Sequence, residues 1–234
     1  MNNYSYQQLP AVNYIRLLTL NAEDFSGSLD IYCLDTCPVY IALSYTWGKC
    51  GLPQDFLCSG ARLSLQQNLS DALQQFQRSG IDKPIWIDAI CINQQDIAEK
   101  EHQIPLMAQI YSKAFKVYVW LGGATRSDEE AFSLLPSIVE ILENADDKVL
   151  NLSQPWKPSV QLAYSQLGLP PPASPIWPTI GRIITRPWFK RLWVLQEVLL
   201  AANIDVFCGG ARVAWKYLAR LEQQIGIWNL KGTL

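Results

Sequence analysis

The stretch Ile85-Trp86-Ile87-Asp88-Ala89-Ile90-Cys91-Ile92 constrains this chain more than any other, because it is an apolar run with one carboxylate inside it. A run this rich in isoleucine reads as a strand buried on both faces, the kind found in parallel sheets. An unpaired buried carboxylate costs several kcal/mol or shifts its pKa, so Asp88 must lie near the strand's exit or hold a partner. Ligands of open parallel sheets bind outside the carboxyl ends of the strands. One segment therefore suggests a fold class and a place to look for a site.

The rest of the chain fits that class. Residues 14–20 (YIRLLTL) and 29–34 (LDIYCL) read as a strand pair with a polar turn at 24–28, and 39–45 (VYIALSY) as another strand. Residues 49–65 read as a loop with a short hairpin around Ser59-Gly60. Leu65, Leu69, Leu73 and Phe76 recur at helical spacing over 64–77. Asp96 and Glu99 form a capping-box pattern opening a helix, in which Pro105 predicts a kink near Glu101. A strand at 117–121 (VYVWL) follows, then a helix capped by Ser127 and Glu130. Residues 151–180 hold many prolines and no clear period, which predicts a long insertion or loop. Pro187 begins a helix predicted over 188–202, before a strand at 204–208 and an amphipathic helix at 215–225. Strands alternating with helices predict a doubly wound, mostly parallel α/β sheet, with the opening strands as an antiparallel extension.

Composition narrows the function classes. With 234 residues, 49% of them hydrophobic and only 17% charged, the chain can bury a sizeable core. A net charge of -2 gives no electrostatic case for nucleic acid or an anionic membrane. No apolar run reaches membrane-spanning length, and residues 1–8 lack a signal peptide's basic start. The six cysteines include no CxxC pair and His102 is the only histidine, so zinc spacing is absent. Reduced thiols in a cytoplasmic protein are the expectation. Gly122-Gly123 and Gly209-Gly210 lack the spacing of a nucleotide-binding loop.

Three segments stand out together: Tyr40-Ile41-Ala42-Leu43-Ser44-Tyr45-Thr46-Trp47-Gly48, then residues 85–96, then Arg186-Pro187-Trp188-Phe189-Lys190-Arg191-Leu192-Trp193-Val194-Leu195-Gln196-Glu197. In this order they closely resemble the fungal heterokaryon-incompatibility (HET) domain, a match that takes in Asn68-Leu69, Glu99, Gln103, Met107, Ile110-Tyr111 and Trp120-Leu121-Gly122. It covers roughly residues 14–215. Pro105 departs from the pattern, and the chain stops soon after the last motif, where family members often continue. The resemblance organises the chain as an N-terminal tail (1–13), a HET domain (14–225, with 151–180 as insertion) and a C-terminal tail (226–234).

HET domains are associated with non-self recognition and programmed cell death, and they resemble TIR domains, many of which cleave NAD or self-assemble. That more distant resemblance implies a TIR/flavodoxin-like sheet and sets Glu197 beside the catalytic glutamate of NAD-cleaving TIR domains. A carboxylate in an apolar helical segment is desolvated, which raises its pKa as catalytic sites require. Glu197 and Asp88 are therefore the candidate catalytic residues. Ser44, Tyr45, Trp47, Gly48, Asn93, Gln94 and Trp193 are the candidate ligand-binding residues. NAD is the implied substrate, with no cofactor and no metal. A homo-oligomer and an upstream recognition protein are the implied partners. The competing readings are structural: Glu197 paired with an arginine, Asp88 bound to strand-end amides, Asn93 and Gln94 anchoring a loop. The competing function is a non-enzymatic module acting by homotypic assembly.

Overall fold

The structure, a computed structural model, describes residues 2–48, 51–144, 158–192 and 194–225. It divides into two compact units, one from Met1–Gly123 with Pro187–Phe207, the other from Ala124–Arg186 and the chain from Cys208 onward. The expected tail at 226–234, the first part of the expected insertion (151–157) and Trp193 lie outside the described residues.

The first unit is a mixed sheet with helices. Its strands are β1 (Tyr14–Leu20), β2 (Ser26–Cys33), β3 (Ile41–Tyr45), β4 (Gln54–Cys58), β5 (Ala61–Leu65), β6 (Ile85–Trp86), β7 (Lys116–Trp120) and β8 (Ile204–Cys208). They lie in the order β5-β4-β2-β1-β6-β3-β7-β8. The four from β6 to β8 are parallel, while β1 runs antiparallel to both β2 and β6. The parallel strands are the near-continuous apolar ones, as burial on both faces demands. β4 and β5 form the hairpin expected at Ser59-Gly60, where both residues take positive φ, 48° and 80°. That is the sense of a two-residue hairpin turn matched to strand twist. Residues of the N-terminal segment are tied to this unit, since Tyr4 N–H donates to the Arg62 carbonyl and Arg62 N–H to that of Asn2.

Register assigns the faces. Ala42 lies beside Trp86 and Val117, Ser44 beside Val119, Leu43 beside Tyr118 and Tyr45 beside Trp120. Alternation puts Ala42 and Ser44 on one face, Leu43 and Tyr45 on the other. Helix α1 (Gln67–Arg78) covers the Tyr45 face, its Phe76 ring 5.5 Å from Tyr118 and 5.2 Å from Phe207. The Ser44 face is covered by a later helix whose Tyr111 ring meets Trp86 at 5.6 Å.

Two sequence expectations need correction in this unit. The strand at Ile85 stops after Trp86, and a one-turn helix α2 (Asp88–Cys91) replaces its second half, because the Asp88 carboxylate takes the Ala89 N–H at 2.7 Å. Helix α3 (Ile97–Lys113) contains Pro105 at an exposed position, where the missing N–H leaves the Glu101 carbonyl without its intrahelical donor. Asp96 caps α3 as expected, but the Glu99 side chain, instead of closing the box, turns to Arg16 and Asn93.

The second unit holds α4 (Arg126–Ser133), α5 (Leu135–Asn144), α6 (Pro158–Leu167), α7 (Ile176–Ile184), strand β9 (Ala211–Ala214) and α9 (Trp215–Ile225). The cap of α4 is a Thr125–Asp128 box, not Ser127 with Glu130. Asp128 also pairs with Arg182 of α7 and with Arg186, at 3.4 and 3.3 Å. α5 packs on α9, where Glu143 meets Arg220 at 3.3 Å. The stretch expected as loop is thus partly helical: α7 carries its prolines in and before its first turn, where a missing N–H costs no hydrogen bond. The helix expected over 188–202 is also shorter. Pro187–Lys190 is a 3-10 turn, and α8 (Val194–Leu199), which belongs to the first unit, begins only after it. No described helix is long and apolar enough to cross a membrane.

Candidate active site

The carboxyl ends of β3 and β6 open onto a pocket of about 330 Å³ within the first unit. Asp88, Trp47, Gln94, Arg191 and Glu197 line it, together with Lys100, Ile104 and Met107 from one face of α3. A volume near 300 Å³ is at the lower end for a small-molecule site.

Glu197 is buried, 2% exposed, although it stands on a short helix. Ser44 Oγ, at the end of β3, donates to Glu197 Oε2, and Trp188 Nε1 donates to Ser44 Oγ at 2.7 Å. On its other oxygen Glu197 accepts from Arg191 Nη2 at 3.2 Å. The 3-10 turn delivers these partners: it buries the Trp188 indole against Ser44 and leaves Arg191 beside α8. Burial raises the Glu197 carboxyl pKa, opposed by the Arg191 charge and the Ser44 hydroxyl. The structural reading of Glu197 as an arginine partner and the reading as a pocket carboxylate hold together.

Asp88 stands across the pocket at the start of α2. Trp47 Nε1 approaches both its oxygens at 3.1 Å, and its carbonyl accepts from Gln94 Nε2 at 2.8 Å. Burial pushes its carboxyl up to about 6, against the Trp47 and Ala89 hydrogen bonds, and the Glu197 charge adds to the rise. The folded state therefore holds this proton more tightly than the unfolded chain does. The associated stability is complete below the ordinary value of 3.8 and is lost as pH rises through about 6. Asp88→Asn removes the titration, so it is expected to gain about 1–3 kcal/mol on the wild type between pH 4 and pH 7. Urea midpoints at the two pH values measure this.

The structure places the remaining candidates as follows. Trp47 is half exposed over the pocket and Gln94 lines it. Ser44 sits beneath it through Glu197. Tyr45 is buried on the α1 face, away from Ser44, and Gly48 is half-buried outside the lining. Asn93 also lies outside the lining: its N–H donates to Glu99 Oε1 at 2.7 Å and its side chain accepts from Gln95 N–H. Cys91 is buried, and desolvation pushes its thiol up to about 12, which removes it as a nucleophile at neutral pH.

Sequence reasoning missed Arg191 and Lys100. The only signal was helical spacing, which puts Lys100 on the Ile104–Met107 face of α3. It also missed what holds Trp47 in place. Asn68 Nδ2 donates to the Thr46 carbonyl at 2.8 Å while its Oδ1 accepts from Trp120 Nε1 at 2.9 Å. Asn68→Ala leaves both groups unpaired and is expected to cost about 1–3 kcal/mol. A denaturant titration reads the loss.

Comparison with known proteins places this chain in a family. Residues 40–197 match the family model "Heterokaryon incompatibility protein (HET)". Those bounds begin beside β3 and end on Glu197. The chain is also similar to heterokaryon incompatibility protein 6, OR allele, of Neurospora crassa, with 30% identity across 94% of this chain and 37% of that protein. The chain thus spans little more than a third of the length of this relative. No solved structure matches.

Proposed function

The chain belongs to the heterokaryon incompatibility (HET) family, and from that premise we propose that it serves fungal non-self recognition and programmed cell death by hydrolysing NAD. One observation carries this reading: Glu197 and Asp88, both with raised carboxyl pKa values, line one pocket at the carboxyl ends of β3 and β6. Cleavage of a nicotinamide–ribose bond passes through an oxocarbenium-like state, as glycoside hydrolysis does, and a carboxylate beside the ribose stabilises it. The C1′–N bond breaks, and its electron pair leaves with the nicotinamide nitrogen. A water oxygen then bonds to C1′ and gives its proton to a pocket carboxylate, which passes it to solvent. Glu197, oriented by Ser44 and Arg191, faces the developing positive charge, while Asp88 accepts the water proton. Trp47 supplies an aromatic face for a ring.

The parallel strands run second-first-third-fourth in chain order, and open parallel sheets hold ligands where the strand order reverses. That order supports the TIR-like reading. The competing reading, killing by homotypic assembly in the cytosol, is favoured by the exposure of Leu192 and Leu199, 86% and 77%. Expression in a fungal host with NAD followed over time separates the two. NAD should fall before viability does, and Glu197→Ala should spare both. Death at constant NAD, kept by Glu197→Ala and abolished by Leu199→Glu, sinks the enzymatic reading.

A further inference from the structure

The pocket lining is divided in charge. Asp88 and Glu197 supply two carboxylates, and Arg191 and Lys100 supply two cations. Arg191 spends Nη2 on Glu197, but its Nη1 is buried and meets no acceptor among the described residues. Lys100 is half-buried on the α3 wall, and among the described residues it makes no ion pair. An uncommitted, buried guanidinium N–H and a nearby unpaired ammonium suit an acceptor-rich anion, most simply a phosphate. The carboxylates suit the opposite charge. A ligand with a cationic ring on one side of its ribose and phosphate on the other matches both sets.

Resting on the glycosidic-cleavage reading above, we propose that Arg191 and Lys100 form an anion subsite that selects phosphate-bearing ribosyl substrates over the corresponding nucleosides. Arg191 couples the two ends of the pocket, because the guanidinium that orients Glu197 also offers Nη1 to the phosphate. Lys100 contributes charge without touching the carboxylates, so it reports on the subsite alone.

Purified protein assayed with NAD and with nicotinamide riboside tests this. The expected kcat/KM favours NAD by about a hundredfold, in line with the cost of leaving one buried polar group unsatisfied. Lys100→Met should raise KM for NAD about tenfold with a much smaller change in kcat, and should lower kcat/KM for the riboside by a clearly smaller factor. Equal cleavage of the two substrates, or equal losses on both in Lys100→Met, overturns the subsite while glycosidic cleavage stands. If neither substrate is cleaved, the cleavage reading fails by itself, and titration calorimetry with ADP-ribose and adenosine decides the subsite. ADP-ribose binding that Lys100→Met weakens about tenfold supports it; equal affinity for the two ligands overturns it.

Discussion

Glu197→Gln is expected to lower nicotinamide release from NAD by about 10²–10⁴-fold, the range for a lost acid–base or charge-stabilising group. The substitution keeps the side chain's volume and one acceptor oxygen for Arg191, while its NH2 reverses the hydrogen bond with Ser44 by donating to Oγ. What it removes is the negative charge, which acts more strongly on the oxocarbenium-like state, with its positive charge at the ribose, than on the ground state, whose positive charge sits on the nicotinamide ring. KM should therefore move little while kcat collapses. The fold should survive, because a neutral amide is less costly to bury than the carboxylate it replaces. A loss confined to KM would mean that Glu197 binds substrate without serving the reaction.

The largest expected loss of stability comes from Glu99→Gln. Arg16 is 1% exposed on β1, and it reaches both Glu99 oxygens, at 2.6 and 3.0 Å. Its guanidinium also donates to the carbonyls of Cys91, at 3.0 Å, and Gln7, at 2.5 Å, beneath the Tyr6 ring. Removing one partner of such a pair strands a buried charge, which costs about 3–5 kcal/mol. Replacing both, as Arg16→Met with Glu99→Leu, should cost less than the single change, since no charge is then left unpaired. Chemical denaturation of the wild type and the two variants checks the order. A loss below about 1 kcal/mol for Glu99→Gln would show the pair to be effectively solvated. The effect extends to the site because Glu99 also holds the Asn93 N–H, which fixes the loop carrying Gln94.

How far the sequence reveals this molecule depends on the range of each interaction. β1, β3, β7 and β8 were legible, because burial on one or both faces writes directly into residue type. The strand at Ile85 was overextended, since an apolar run reads alike as strand and as buried helical turn until Asp88 is known to take its neighbour's N–H. α7 was hidden by prolines that a helix tolerates in its first turn but that read as loop in a window of sequence. The helix at 188–202 was overextended for a tertiary reason, as the Trp188 indole turns inward to a serine 144 positions earlier in the chain.

The site was legible to the same degree. Asp88, Trp47, Gln94 and Glu197 line the pocket, and each came from a motif whose chemistry or spacing stood out. Tyr45 and Asn93 did not enter it, because strand alternation turns one away and a backbone-anchoring role claims the other. Arg191 and Lys100 carry no periodic mark. Their meaning comes only from meeting two carboxylates brought from elsewhere in the chain.

Product analysis after incubating the purified chain with NAD tests the central claim most directly. Nicotinamide and ADP-ribose should appear in equal amounts with release of one proton per turnover, the balance required when water adds to C1′. Intact NAD after incubation with folded protein at high concentration would contradict the account and leave the pocket without the reaction assigned to it.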